Sequence, residues 1–188
     1  MTWYEFLLFV HIAAAIAWAG SGFLLMVLAL RAERTNDEAA IRRILDDNTW
    51  LATRLFIPAS LTVFVAGVLL TIDGPWEFDQ LWVVIGLLGY AATFFTGLAI
   101  LRPRGDRIAA MIARDGGLTP VSFADARRLL ALARIDYVVL LLVIADMAIK
   151  PTGDDVGVLI GMAAILAAGL AWSITAAQAV RTPATQTT

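Results

Sequence analysis

The chain has no cysteine, a single histidine and, at position 150, a single lysine. The first absence excludes disulfides, thiolate metal sites and thiol nucleophiles. The lone histidine, His11, excludes a bis-histidine haem within one chain. There is no Gly-rich phosphate loop, HExxH, Ser–His–Asp set or nucleic-acid-binding motif, so those chemistries lack their usual carriers. Charge is also scarce, at 16% of 188 residues with a net of −2, and its arrangement says more than its sum. What fills the chain instead is apolar: 60% of residues are hydrophobic and the mean hydropathy is +0.80. Soluble domains run nearer about 45–50% apolar. The excess lies in long blocks, which points to an all-α polytopic membrane bundle.

A span needs about 20 apolar residues. Five segments qualify: about Tyr4–Leu30, Leu51–Ile72, Leu81–Leu101, Leu132–Ile149 and Val156–Val180. The fourth is the shortest and carries Arg134, Asp136 and Asp146, which must face protein, water or headgroups. The start, Met1–Glu5, has no basic region and the run after it is long, so the first helix is expected to remain as a span. One helical domain is expected over residues 1–181, with connections at about 31–50 and 102–131 and a polar, disordered tail at 182–188.

All 13 arginines flank the connections after spans one and three or follow span five, and only Lys150 lies at the other side. The positive-inside rule makes the arginine side cytoplasmic, with the N-terminus out and the C-terminus in. A bacterial inner membrane is the expected location. The outer connections, 73–79 and 151–155, are short and acidic, and Trp3, Tyr4, Trp76 and Trp82 fit an outer aromatic belt. Asn36–Asp47 reads as a short amphipathic helix. Ser122 is expected to cap a helix running into span four, after a break at Gly116, Gly117 and Pro120. The basic connections fix orientation and could also meet anionic headgroups.

An ionisable residue inside a span is a functional-site hypothesis by default. His11 lies roughly 10 Å below the outer interface and Asp146 roughly 6 Å below it. Met147 and Met162 fall at similar depths, and Lys150 ends the fourth span. His11, Ala15, Trp18, Gly22 and Leu25 share one helix face, which could hold a flat cofactor or a neighbouring helix. Three roles for His11 stay open: a buried histidine bonded to another helix, a haem or metal ligand, or a proton relay. Asp146 and Lys150, four apart, could pair, or Asp146 could orient His11. Arg134 and Asp136 read as boundary residues, and Glu5 as a solvated acid. Gly157 and Gly161, and Gly89, Thr93 and Gly97, repeat at spacings that permit close helix contact and a homodimer.

His11, six residues, then Trp18-Ala-Gly20 and Arg31 resemble the first helix of the HemJ-type protoporphyrinogen oxidases, and copper-resistance D-type membrane proteins are similar there. Asp146-Met-Ala-Ile-Lys150-Pro151 resembles the end of the fourth helix in that grouping. Over about Trp3–Pro151 the chain is also similar to predicted bacterial integral membrane proteins of the domain of unknown function 2269 family. The resemblance implies a four-helix core and a haem-binding position at His11. HemJ-type proteins carry a lysine early in the third helix; Leu81–Gly86 has none, and the fifth span is additional. That departure argues against protoporphyrinogen oxidation and leaves haem b with one axial ligand or across a dimer.

The expectation is therefore a lipid-embedded protein, with no nucleic-acid partner, holding haem b or copper in the outer half of the bundle. The cofactor would rest on His11, Trp18, Gly22 and Met162, with Met147 as a further metal ligand. Asp146 and Lys150 would orient the ligating side chain from behind or relay protons. The alternatives are a proton-coupled transporter or channel using His11 and Asp146, and an accessory structural subunit.

Overall fold

The computed structural model describes residues 1–35 and 37–179. Helix α1 spans Trp3–Thr35; α2, Glu38–Leu51, runs through a π-helical turn at Ala52–Phe56 into α3, Ile57–Asp73. Helix α4, Leu81–Thr96, runs through a second π-helical turn at Gly97–Leu101 into α5, Arg102–Asp115. Helices α6, Pro120–Ile149, and α7, Val156–Ala179, follow. No strand occurs among the described residues. Asn36, Arg181 and the expected disordered tail lie outside the described residues.

The two π-helical turns have a shared cause. Pro58 and Pro103 follow directly. A proline has no N–H to donate and crowds the carbonyl four residues back. Those carbonyls belong to Arg54 and Ala99, inside the two widened turns. The widened turn accommodates each proline and lets the helix continue. Two spans are thereby continuous with helices at the arginine-bearing end, where connections were expected. Helix α2 is the expected amphipathic segment, capped by the Asp37 side chain, which accepts from the Ala40 N–H at 2.9 Å. Helix α5 was not expected. It ends at Gly116, whose φ of 73° is left-handed backbone suited to glycine. Thr119, three residues before the expected cap at Ser122, caps α6 in a reciprocal box with Ser122.

Four stretches are long and apolar enough to cross a membrane: Trp3–Thr35, Glu38–Asp73, Leu81–Asp115 and Val156–Gln178. Helix α6 has the length, at 30 residues, but carries Arg134, Asp136 and Asp146 in its apolar part. The large apolar side chains Phe9, Ile16, Leu88 and Ile160 stand outside the bundle. Inside, α1 packs on α3, α4 on α6, and α7 on α6. At the arginine-bearing end, Ile41, Ile44, Leu45, Ile108 and Ile112 of α2 and α5 close a core with Ala29, Ala126 and Leu129. At the opposite end Trp76 donates to the Tyr4 hydroxyl at 3.2 Å and meets Trp82 edge-on at 5.1 Å.

Candidate functional site

His11 projects from α1 onto α3. Its Nδ1 lies 2.9 Å from the Val63 carbonyl oxygen. A carbonyl only accepts, so Nδ1 carries the proton and donates, leaving the lone pair of the neutral ring on Nε2. Gly67 makes the approach possible: a Cβ there would stand 3.1 Å from the His11 Cε1.

Asp146 faces α4. It is 0% exposed, and neither carboxylate oxygen has a hydrogen-bond partner. It lies beside Gly86, where a Cβ would be 3.4 Å from its Oδ2, and the Met147 methyl covers the same glycine. The structure therefore makes no hydrogen bond between Asp146 and His11. The expected Asp146–Lys150 pairing is also not formed. The Lys150 ammonium sits 3.9 Å from the Trp76 ring centroid and 5.3 Å from that of Trp82. Lys150 closes α6 in left-handed backbone with φ 52°, its N–H donating to the Asp146 carbonyl at 2.7 Å. That turn sends its side chain to the tryptophan corner rather than back along α6.

Trp18 and Gly22 do share a working face, but the face looks elsewhere. Both line a half-open cavity of about 400 Å³ bordered by α1, α3, α4 and α6 and reached by α2 and α5. Phe56, Phe94, Leu129 and Leu140 supply apolar wall. Ser60, Thr93, Asp136 and Tyr137 supply polar groups inside, and Asn48, Arg102 and Asp106 stand at the arginine-bearing end. Trp18 meets Tyr90 edge-on at 5.9 Å, and Tyr90 stacks on Phe64 at 5.2 Å and Phe94 at 5.7 Å. This cluster ties α1, α3 and α4 together beside the cavity. Both π-helical turns contribute wall: Ala52, Thr53 and Phe56 from one, Gly97, Leu98 and Leu101 from the other.

The candidate residues thus occupy separate neighbourhoods. His11 sits against α3, Asp146, Met147 and Lys150 sit against α4 and the tryptophan corner, and Trp18 with Gly22 faces the cavity. Met162 is on α7, whose neighbour is α6. Among the described residues no group of three His, Asp or Glu side chains gathers to hold a metal.

Sequence reasoning passed over two groups. Arg134, read as a boundary residue, is 6% exposed, bonds Glu33 of α1 and lies 5.2 Å from the Trp172 ring of α7. Asp136, read the same way, lines the cavity. The available signal was three charged residues in one apolar segment, which is too many for a boundary alone. No curated protein and no solved structure matches the chain. Residues 5–151 match the family described as predicted integral membrane protein (DUF2269), and the chain belongs to that family.

Proposed function

We propose that this integral membrane protein binds an apolar small molecule inside its helix bundle, as a carrier or transporter would. The observation that carries the reading is the cavity of about 400 Å³ between α1, α3, α4 and α6. Its size lies in the ligand-pocket range of about 300–1,000 Å³, and its wall is apolar with a few polar groups. Arg102 and Asp106, at the arginine-bearing end, are exposed, which suits exchange with the aqueous phase. Gly97 offers a clean test, because a side chain there meets nothing within 4 Å and would occupy the cavity. A tritiated diphenylpropyl probe should show saturable uptake by protein in nanodiscs, and Gly97→Phe should remove it. Uptake no greater than that of empty discs, or unchanged in the variant, rejects the reading.

A second reading rests on the His11 geometry: the bond from Nδ1 to Val63 leaves Nε2 available as a ligand atom. His11 then offers one axial nitrogen to haem b, or one ligand to copper, and among the described residues no cluster of His, Asp or Glu side chains gathers with it. A Soret band or bound copper in purified protein that His11→Ala abolishes is the expected result. Colourless, copper-free protein from cofactor-replete cells would rule it out.

The proposed arrangement is five spans with α6 among them, N-terminus out and C-terminus in. Arg134, Asp136 and Asp146, the charged residues of α6 beyond Ala133, are at least half covered by protein, and the arginines sit at one end. With no native cysteine to interfere, Thr2→Cys should react with an impermeant maleimide in intact cells and Thr188→Cys should not. Equal labelling would reject an odd number of spans.

A further inference from the structure

The polar groups of the cavity differ in one respect: whether the protein already satisfies them. Tyr137 donates its hydroxyl to the Ala19 carbonyl at 3.3 Å. Ser60 donates to the Ile57 carbonyl at 3.0 Å and Thr93 to the Tyr90 carbonyl at 3.0 Å. Thr53, nearer the arginine-bearing end, donates to the Trp50 carbonyl at 3.1 Å. The hydroxyl protons that could have reached into the cavity are therefore committed to helix backbone. Among the groups inside the cavity Asp136 is the exception; at the arginine-bearing end Asn48, Arg102 and Asp106 also line it, and their side chains make no hydrogen bond or ion pair among the described residues. The Asp136 carboxylate lines the cavity and makes no hydrogen bond or ion pair among the described residues. The neighbouring cation on α6 is not available to it, because Arg134 is held by Glu33 and Trp172.

A carboxylate in an apolar pocket, with acceptor atoms and no donor, is complementary to a ligand that brings the donor and the positive charge. The surrounding rings point the same way. Trp18, Phe56, Phe94 and Tyr137 line the cavity, and the electron-rich face of an aromatic ring attracts organic cations. Beyond them the wall is aliphatic: Leu25, Leu129 and Leu140. We propose that the cavity takes a lipophilic organic cation, an apolar body bearing a protonated amine that pairs with Asp136.

This inference rests on the cavity reading above, and one experiment separates the two. Tritiated diphenylpropylamine and its neutral isostere diphenylpropanol are bound to the full-length protein in zwitterionic-lipid nanodiscs, with empty discs subtracted. The amine should bind saturably and at least about tenfold more tightly than the alcohol, as expected for a charge-assisted hydrogen bond in place of a neutral one. Asp136→Asn should bring the amine to the level of the alcohol and leave the alcohol unchanged. Asp136→Glu, which keeps the charge, should retain the preference and guards against a folding defect in the asparagine variant. Equal binding of amine and alcohol to the unaltered protein, or a preference that survives Asp136→Asn, overturns the assignment of Asp136 and leaves the cavity reading standing. Saturable binding of neither probe overturns both.

Discussion

Arg134 and Asp146 lie on the same helix and show opposite treatments of charge removed from water. The Arg134 side chain is 7% exposed and the Glu33 side chain 11%, and each is the other's ion-pair partner. Breaking a buried pair strands the surviving charge, which typically costs about 3–5 kcal/mol. Arg134→Ala is expected to destabilise the protein by that order, read as the thermal midpoint in detergent. Arg134→Lys should recover only part of it, because an ammonium lacks the guanidinium fork. Asp146 has no such partner, since its two oxygens are buried and unbonded. An unsatisfied buried polar group costs about 1–3 kcal/mol, so Asp146→Leu, of similar shape, should raise the thermal midpoint. A lower midpoint would show that Asp146 has a stabilising partner in the folded protein. Outside the spans, Asp155 accepts from the Thr152 N–H and hydroxyl, each at 2.8 Å. The backbone bond first, and then the hydroxyl, hold its carboxyl below the ordinary carboxylate value. Because the folded carboxyl titrates below the unfolded one, its contribution is complete above the unfolded value and fades as pH falls through the folded one. A carboxyl carbon titration by NMR should place Asp155 below the ordinary carboxylate value, and Thr152→Val should raise it.

At the scale of elements, the bundle is set by where small residues let helices approach. Gly89 of α4 receives a methyl of Val143 on α6, and Gly169 of α7 receives Val138, whose Cγ1 would stand 2.9 Å from an added Cβ. Valine is stiff at χ1, so neither contact can yield by a simple rotation. Gly89→Ala is expected to cost about 1–3 kcal/mol as overpacking. Adding Val143→Ala should return most of the loss, and a double-mutant cycle with no coupling would refute the contact. Of the small-residue spacings noted in the sequence, Gly89 is used within the chain. Gly97 opens toward the cavity, and Gly157 and Gly161 face open space. Spacing alone did not distinguish these three fates, because it defines a face and not its neighbour. Helix α5 was hidden for a different reason. The sequence reads as a connection from residue 102, yet the π-helical turn before Pro103 absorbs the proline and the helix continues.

At the scale of the molecule, the cavity belongs to α1–α6. None of its lining residues lies beyond Leu140, and the family match ends at residue 151. Helix α7 is an outer layer joined to α6 through Gly169, Trp172 and the Ser173 hydroxyl, which bonds the Ala131 carbonyl at 2.5 Å. A chain ending after Pro151 is therefore expected to insert, to lose some thermal stability and to keep saturable probe uptake. Loss of uptake with retained monodispersity would show that α7 shapes the cavity.

Much of this protein was legible in its residues. Apolar blocks announced an all-helical membrane protein, because backbone in hydrocarbon must bond to itself and long helices do that locally. The end of α3 near Asp73, the start of α4 at Leu81 and the start of α7 at Val156, and the arginine-bearing end, followed from hydropathy and charge counted along the chain. Those are properties of single helices. Which side chains meet is a property of pairs. Periodicity placed His11 and Trp18 on one face of α1, and seven residues of rise were enough for that face to meet Val63 and Gly67 at one level and the cavity at another. Depth suggested that His11 and Asp146 could share a site, but α6 turns Asp146 toward Gly86 of α4 while His11 is taken by α3. Only the lateral packing of the helices brought Asp136 to a space large enough for a ligand.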